Sequence, residues 1–236
     1  MNHLSILKNA HINKDVWILA SGSSMNFISD SFFDNKITIA LNRVCKYFQS
    51  SYIVFKEFNL ELHKQILTNK SAKIICSKHR YGNLGEPINN FDFDYYFFEH
   101  TSQVGRQGIP DGWPDVNEIN TTHDNIVVSY STITSALHIA AYMGAKNIII
   151  CGHDCGTIDG KSTIDGYYDD TKPQHGNEEN YISWLGEIEN HTVLVSEKLK
   201  EIYGCNIHSL NPFVNFNFEG RNYHPSFKTY LLRRNV

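Results

Sequence analysis

Residues 129–154 constrain the fold more than any other part of the chain. They begin with hydroxyl side chains, which typically cap a helix N-terminus or contact an anion there, namely Ser129, Ser131, Thr132, Thr134 and Ser135. Apolar residues at helical spacing follow as far as Gly144, which supplies a helix stop. Asn147–Cys151 is then a β-branched run, typical of a parallel strand buried on both faces. This order predicts a buried helix that leads into a central strand of an α/β sheet.

The predicted central strand ends in three polar or small residues, Gly152, His153 and Asp154. In open α/β sheets, ligands bind at the carboxyl ends of the strands. We therefore interpret residues 129–154 as half of an active site, with Asp154 as a candidate catalytic carboxylate.

Further strand and helix patterns alternate along the chain. A helix over residues 60–67 and a longer one over residues 181–203 separate short β-branched or aromatic runs. Those runs are residues 16–20, Ile37–Leu41, Tyr52–Phe55, 73–76, Tyr95–Phe98 and 206–209. The pattern predicts an α/β fold with a doubly wound, mostly parallel, Rossmann-like sheet, forming a single domain over residues 1–236.

Two polar turns follow the first two predicted strands. The turn with Ser21, Gly22 and Ser24 has the order strand, glycine turn, helix of a nucleotide-phosphate loop, although a plain tight turn has the same composition. Asn42 stands at the end of the next strand, where an amide can contact a ribose or base edge, or simply form a turn.

The segment from about residue 155 to residue 185 is polar and lacks periodicity, which predicts a lid over the site. Tyr167 and Tyr168 lie in it as hydrogen-bond donors for a leaving phosphate, or as mobile surface residues. His175 lies in the same segment. The following helix has an apolar stripe formed by Trp184, Ile188, Val195, Leu199 and Ile202. His191 fills a gap in this stripe, so it is either a bonded core residue or a group directed into the site.

Composition excludes several other classes of protein. A net charge of −4 argues against a general nucleic-acid binder, and no apolar run approaches a membrane span. Five cysteines without a CxxC pair favour buried thiols in a reducing, cytoplasmic setting. A metal site is a weaker interpretation of Cys151, His153 and Cys155.

Two charged segments remain open to more than one interpretation. Asp92 and Asp94 form a DxD pattern, read either as a metal ligand pair or as a solvated turn. The C-terminal tail carries basic residues among aromatics, which either contact anionic lipid at the inner face of the membrane or are solvated. Those basic residues are Arg221, Lys228, Arg233 and Arg234.

The chain resembles the bacterial lipooligosaccharide sialyltransferases in four places. These are residues 18–25, Asn42, the helix that begins with hydroxyl residues, and residues 149–154. Those enzymes begin with a strand and an Asn-Gly-Pro-Ser turn, and their central strand ends in Gly-x-Asp. The same framework occurs in motility-associated flagellin glycosyltransferases and in the hydroxymethylpterin diphosphokinase group. The resemblance covers chiefly residues 16–43 and 129–209.

The resemblance implies a set of residues that bind the donor nucleotide. They are Ser21 (where the family carries Asn), Gly22, Ser24, Asn42, Ser131 and Thr132, with Tyr167 and Tyr168 on the phosphate. It also implies a general-base histidine. The expected place lies between His175 and His191, so these two are the candidates.

The implied reaction is transfer of an acidic sugar from a CMP-linked donor to a cell-surface glycan, as in lipopolysaccharide or capsule biosynthesis. No cofactor is required, and magnesium is optional. One alternative is a magnesium-dependent diphosphokinase with Asp154, or Asp92 and Asp94, as metal ligands. A second alternative is a non-catalytic nucleotide-binding module. A homo-oligomer is left open.

Overall fold

The computed structural model describes residues 2–56, 71–80, 83–87, 95–101, 112–168, 178–210, 219–220 and 228–229. Two α-helices lie in these ranges, α1 (Thr132–Tyr142) and α2 (Glu178–Tyr203). The strands are β1 (Asn2–His3), β2 (Asp15–Leu19), β3 (Ile37–Leu41), β4 (Tyr52–Phe55), β5 (Lys73–Ser77), β6 (His79–Arg80), β7 (Asn83–Pro87), β8 (Tyr95–Phe98), β9 (Asn147–Cys151), β10 (Gly156–Thr157), β11 (Asn206–Leu210), β12 (Glu219–Gly220) and β13 (Lys228–Thr229).

Nine strands form one sheet in the order β1-β8-β5-β4-β3-β2-β9-β11-β13, and each neighbouring pair is parallel. From β2 the chain adds β3, β4 and β5 on one side, and it later returns to add β9 and β11 on the other side. The strand order therefore reverses between β2 and β9. This is the doubly wound α/β arrangement that the sequence predicts, and its switch point is the place where ligands bind in such sheets.

Each face of the sheet is covered by its own apolar cluster. Residues of β2 and β9 alternate between the two faces, as the two-residue period of a strand requires. One face packs against α1 and α2, and the other packs against short 3₁₀ helices and the loop after β9. The 3₁₀ helices of that second face span Ser23–Phe27, Asp30–Phe33 and Asn42–Lys46, and two others, Leu4–Leu7 and Val116–Glu118, lie on the face of α1 and α2.

Helix α1 begins and ends as its sequence predicts. The Ser131 side chain caps it by accepting a hydrogen bond from the amide of Ile133 at 3.4 Å. Gly144, with φ of +85°, ends it in the left-handed conformation. Every residue of the helix is buried, which agrees with its apolar surface.

Several local expectations differ from the structure. Only a 3₁₀ helix, Ser23–Phe27, follows the first glycine turn, in place of the expected α-helix. The N-terminal segment contains β1 and the 3₁₀ helix Leu4–Leu7, whose two leucines are buried. The expected helix over residues 60–67 lies outside the described residues. Among the described residues, no helix combines the length and apolar content that a membrane span requires.

Candidate active site

The turns after β2 and β9 are joined at the switch point. The Gly22 amide donates a hydrogen bond to the Gly152 carbonyl at 2.6 Å. A Cβ atom on Gly22 would lie 2.4 Å from both that carbonyl and the Asp154 Oδ2 atom. Glycine is therefore required here because the backbone of one turn lies against the backbone and carboxylate of the other.

Asp154 holds this junction together. Its Oδ2 accepts a hydrogen bond from the Ser24 amide at 2.8 Å, and its Oδ1 accepts one from the Ser24 hydroxyl at 2.6 Å. The side chain is 3% exposed, and burial raises the pKa of its carboxyl group while the bonds from Ser24 oppose that rise. Asp154 thus lies at the predicted edge of the sheet, where its contacts fix the first turn.

These bonds change the interpretation of the first turn. A phosphate loop presents its amides to the ligand, but the amides of Gly22 and Ser24 are bonded to Gly152 and Asp154. They are not available to a phosphate while the junction is intact. The same bonds account for the 3₁₀ helix after the turn, because they fix the backbone of Ser24 in its first turn.

Asn42 meets the N-terminus of α1, as the sequence-based site requires. Asn42 follows β3 directly and has φ of +49°, a left-handed conformation that Asn adopts more readily than most residues. Its Nδ2 atom donates a hydrogen bond to the Thr132 hydroxyl at 3.2 Å. Thr132 is the first residue of α1, and Ser131 caps the helix beside it. Residues 90 positions apart therefore converge at the carboxyl edge of the sheet.

Two tyrosines from the loop after β9 lie beside this group. The rings of Tyr167 and Tyr168 pack edge to face with centroids 5.3 Å apart. The Arg43 guanidinium lies over both rings, 4.7 Å from the centroid of Tyr167 and 5.6 Å from that of Tyr168. Burial raises the pKa of Tyr167, and Arg43 is the largest effect that opposes it.

The first half of the predicted lid is anchored to the sheet edge. The Ile164 amide donates to the Ser21 carbonyl at 2.8 Å, and the Asp165 amide donates to the Asn26 side chain at 2.9 Å. Ile164 and Tyr167 are buried in the apolar cluster on this face. Residues 169–177, which include His175, lie outside the described residues. Helix α2 begins at Glu178, inside the range expected for the lid.

His191 points inward, as its position on the predicted stripe implies. The side chain has no exposed surface, and no residue in the described part of the chain bonds to either ring nitrogen. Trp113 packs edge-on against its ring at 4.6 Å, and Tyr130 stacks on it at 6.0 Å. Burial, together with the positive charge of Lys56, lowers its pKa to about 4.

Lys56 and Thr192 connect His191 to the rest of the edge. The buried Lys56 ammonium donates to the carbonyls of Ser129 and Tyr130, just before α1, the second at 2.7 Å. Thr192, the next residue on α2, bonds to the His153 ring at 2.9 Å. His191 therefore lies next to the segment that leads into α1, and its neighbour Thr192 contacts the residue that follows the turn after β9.

The five cysteines are all buried and form no disulfide bond, in agreement with the predicted thiols. The Cys155 sulfur lies 3.5 Å from the His153 ring, while Cys151 is buried in the apolar cluster that contains Leu19. Within the described ranges no group of three or more His, Cys, Asp or Glu side chains is arranged to hold a metal ion. The DxD pair Asp92 and Asp94 lies outside those ranges.

Four residues of this region were not predicted from the sequence, and a fifth, Trp184, was predicted to be buried and is not. Arg43, Lys56, Trp113 and Tyr130 contact the predicted site residues. Arg43 directly follows Asn42, and that adjacency is a signal that the sequence does contain. Trp184, expected on the buried stripe of α2, is 42% exposed and stacks on Tyr130 instead. The basic residues Arg221, Arg233 and Arg234 of the tail lie outside the described residues.

Comparison with protein-family models finds no match, and neither does comparison with curated proteins. Among solved structures, the chain is similar to a MAf glycosyltransferase from Magnetospirillum magneticum AMB-1, with 12% identity and a TM-score of 0.47 over 98% of this chain. The chain spans 37% of the length of that protein.

Two further similar structures come from Campylobacter jejuni. One is the monofunctional alpha-2,3-sialyltransferase Cst-I, with 17% identity and a TM-score of 0.45, covering 95% of this chain and 90% of that one. The other is the sialyltransferase CstII in complex with cytidine-5'-monophosphate, with 14% identity and a TM-score of 0.45, covering 92% and 93%. These proteins are of the classes that the sequence motifs resemble.

Proposed function

We propose that the chain is a sialyltransferase-like glycosyltransferase, which moves an acidic sugar from a CMP-linked donor to a hydroxyl group of a glycan acceptor. The observation that carries this proposal is the meeting of Asn42 and Thr132 at the carboxyl edge of the sheet, at the end of β3, with a 3.2 Å hydrogen bond between side chains from distant parts of the chain. An amide and a helix N-terminus at this place suit a nucleotide, whose base or ribose bonds to the amide and whose phosphate favours the helix end.

The donor phosphate is held by side chains in this proposal. The amides of Gly22 and Ser24 are engaged in the junction with Gly152 and Asp154. The first turn therefore shapes the pocket and lets the backbone approach the donor closely, without donating these amides to the phosphate. The hydroxyl groups of Tyr167 and Tyr168 lie on the loop beside Asn42 and donate to the phosphate oxygens as the sugar leaves.

His191 takes the proton of the acceptor. A buried imidazole whose pKa is lowered to about 4 is neutral at pH 7, which is the form that accepts a proton. The acceptor oxygen forms a bond to the anomeric carbon and its proton passes to a His191 nitrogen. The bond between that carbon and the phosphate oxygen breaks, and its electron pair stays on the departing CMP.

The ring of Tyr130 controls access to His191. It stacks on the His191 ring and is itself 41% exposed, so it separates the histidine from solvent. An acceptor hydroxyl reaches the imidazole when the Tyr130 side chain rotates away. The remaining contacts of His191, with Trp113, keep the imidazole in place during that movement.

The diphosphokinase alternative requires a carboxylate that is free to bind magnesium. Both oxygens of Asp154 accept hydrogen bonds from Ser24, so metal binding there would break the junction between the two turns. Asp154 is therefore disfavoured as the magnesium ligand of a kinase, and the other predicted pair, Asp92 and Asp94, lies outside the described residues. The site of transfer, in our proposal, is the inner face of the cell membrane, where precursors of cell-surface glycans are assembled.

A thermal-shift panel of CMP, CDP, UDP, GDP and ATP, each with and without magnesium, tests the proposal. CMP at about 100 times its Kd is expected to raise Tm by about 5–10 °C without added metal. Stabilisation by ATP only with magnesium would support the kinase instead. No response to any nucleotide would contradict both assignments.

A further inference from the structure

Arg43 lies at the carboxyl edge of the sheet, next to Asn42, and contacts from two elements fix the backbone and side chains of this pair. It is the second residue of the 3₁₀ helix Asn42–Lys46, which begins immediately after β3. The left-handed conformation of Asn42 turns the chain there, so that Asn42 contacts α1 and Arg43 lies over the two tyrosines. Arg43 and Asn42 are therefore consecutive residues at the carboxyl edge of the sheet, and their side chains contact different elements.

The charge of Arg43 has no acidic partner in the described part of the chain. It lies over the ring faces of Tyr167 and Tyr168 and hydrogen-bonds to the Tyr167 hydroxyl, and neither contact neutralises its charge. Asp165, on the same loop as the tyrosines, bonds to Lys161 at 2.7 Å. The guanidinium places a positive charge at this half-buried position.

Three other candidate donors for an anion at this edge are already engaged. The Gly22 and Ser24 amides bond to Gly152 and Asp154. The Lys56 ammonium bonds to backbone carbonyls on the His191 side of α1. Arg43 is thus the cation placed beside Asn42 and the tyrosines.

We propose that Arg43 is the residue that binds the donor phosphate, and that Tyr167 and Tyr168 hold its guanidinium in position for this contact. This inference rests on the proposed CMP-linked donor. The phosphodiester of such a donor carries one negative charge, and the released CMP carries close to two at pH 8. A planar guanidinium donates two parallel hydrogen bonds to a phosphate, so Arg43 stabilises the charge that develops as the sugar leaves.

A purely structural role for Arg43 makes a different prediction. If its only function were to join the tyrosine loop to the 3₁₀ helix through cation–π contacts, its removal would loosen the whole site. Binding of a nucleoside without phosphate would then weaken as much as binding of the nucleotide. A phosphate contact affects the nucleotide alone.

Calorimetric titration of the full chain with CMP and with cytidine at pH 8 separates these roles. We expect wild type to bind CMP at least tenfold more tightly than cytidine. Arg43→Gln should lose about tenfold in CMP affinity and leave cytidine affinity within twofold. Arg43→Lys keeps the charge without the planar fork, so it should lose about threefold, and it serves as the test variant if the glutamine variant is unstable.

Lys46→Gln is the matched control. Lys46 is an exposed cation of the same 3₁₀ helix, and its recorded ring contact is with its neighbour Tyr47. Its replacement removes the same charge about one helical turn away, so both affinities should stay within twofold of wild type. An equal loss of CMP affinity in this variant would mean that net charge alone, and not Arg43, attracts the phosphate.

The outcomes distinguish this inference from the proposed function. If wild type prefers CMP and Arg43→Gln keeps that preference, or loses both affinities equally, Arg43 does not bind the phosphate, and the proposed donor stands. If wild type binds neither CMP nor cytidine, the proposed donor and the role of Arg43 both fail.

Discussion

Lowering the pH from 7 to 5 is expected to destabilise the protein through His191. Burial and Lys56 lower the pKa of this side chain from 6.5 to about 4 in the folded chain. The unfolded chain therefore binds the proton more tightly, and stability present above pH 6.5 is lost as the pH falls toward 4. Each tenfold difference in proton affinity corresponds to 1.36 kcal/mol. At pH 5, about 1.5 pH units below the unfolded value, the loss from His191 is about 2 kcal/mol.

Urea unfolding of wild type and His191→Gln at pH 7 and pH 5 measures this loss. Burial also lowers the pKa of His138 to about 3 and that of His153 to about 4, so the acid loss of wild type exceeds the share of His191. The comparison isolates one residue, because the variant should lose about 2 kcal/mol less than wild type. Equal losses in the two proteins would refute the assignment of a lowered pKa to His191.

The same lowered pKa affects the rate of reaction. If His191 is the base in the free enzyme, kcat/KM should change by less than about twofold between pH 8 and pH 5. A histidine with an ordinary pKa would lose about thirtyfold of its neutral form over this range. His123→Gln, which removes a histidine bonded to Asn120 away from the site, should leave activity unchanged. An acid limb centred near pH 6.5 in wild type would contradict the burial argument.

Three substitutions test the donor side. Asn42→Ala should weaken CMP binding by about 1–3 kcal/mol with the fold intact, and unchanged affinity in a titration would remove Asn42 from the site. Gly22→Ala places a Cβ 2.4 Å from the Asp154 carboxylate and should lower the free energy of unfolding by about 1–3 kcal/mol in urea. Gly160→Ala is its control, because that Cβ meets no atom within 4 Å and only its positive φ costs about 1 kcal/mol. Asp154→Asn should cost about 1–3 kcal/mol, because one of the two bonds from Ser24 loses its acceptor, and an unchanged midpoint would show that the junction is not needed for stability.

The sheet was predictable from local pattern. The strand Asn147–Cys151 is a β-branched run between a glycine stop and a glycine turn, and the strands Ile37–Leu41 and Tyr52–Phe55 also match their predicted bounds. Buried parallel strands need apolar residues on both faces, so their sequences are unambiguous. The pairing of β2 with β9 is not encoded in either strand's own sequence and emerges only from the structure.

The local structure after the first turn was not predictable, because a distant residue determines it. Asp154 accepts hydrogen bonds from the amide and the hydroxyl of Ser24, 130 positions away, and the turn continues as a 3₁₀ helix. Trp184 fits the apolar stripe of α2 by spacing, yet it is exposed and stacks on Tyr130. Spacing along one helix does not specify which other element covers each position.

The candidate site was only partly predictable, because its residues come from distant parts of the chain. Asn42 and Thr132 were identified because each ends a strand or begins a helix at the same edge, and the structure brings them together. The surroundings of His191 come from three separate segments, which contribute Trp113, Tyr130 and Lys56. No local pattern links such segments, so these residues emerge only from the folded chain.

Release of CMP from a CMP-linked acidic sugar, by wild type and by His191→Gln, measures the proposed reaction most directly. The assay is run in the presence of a metal chelator, with water alone and with a panel of soluble glycans as acceptors. Wild type is expected to release CMP faster with at least one glycan than with water. His191→Gln should be slower by about two to four orders of magnitude and should bind CMP with unchanged affinity. A folded His191→Gln variant that releases CMP as fast as wild type, or a wild type that releases none with any acceptor, would contradict the proposed transfer.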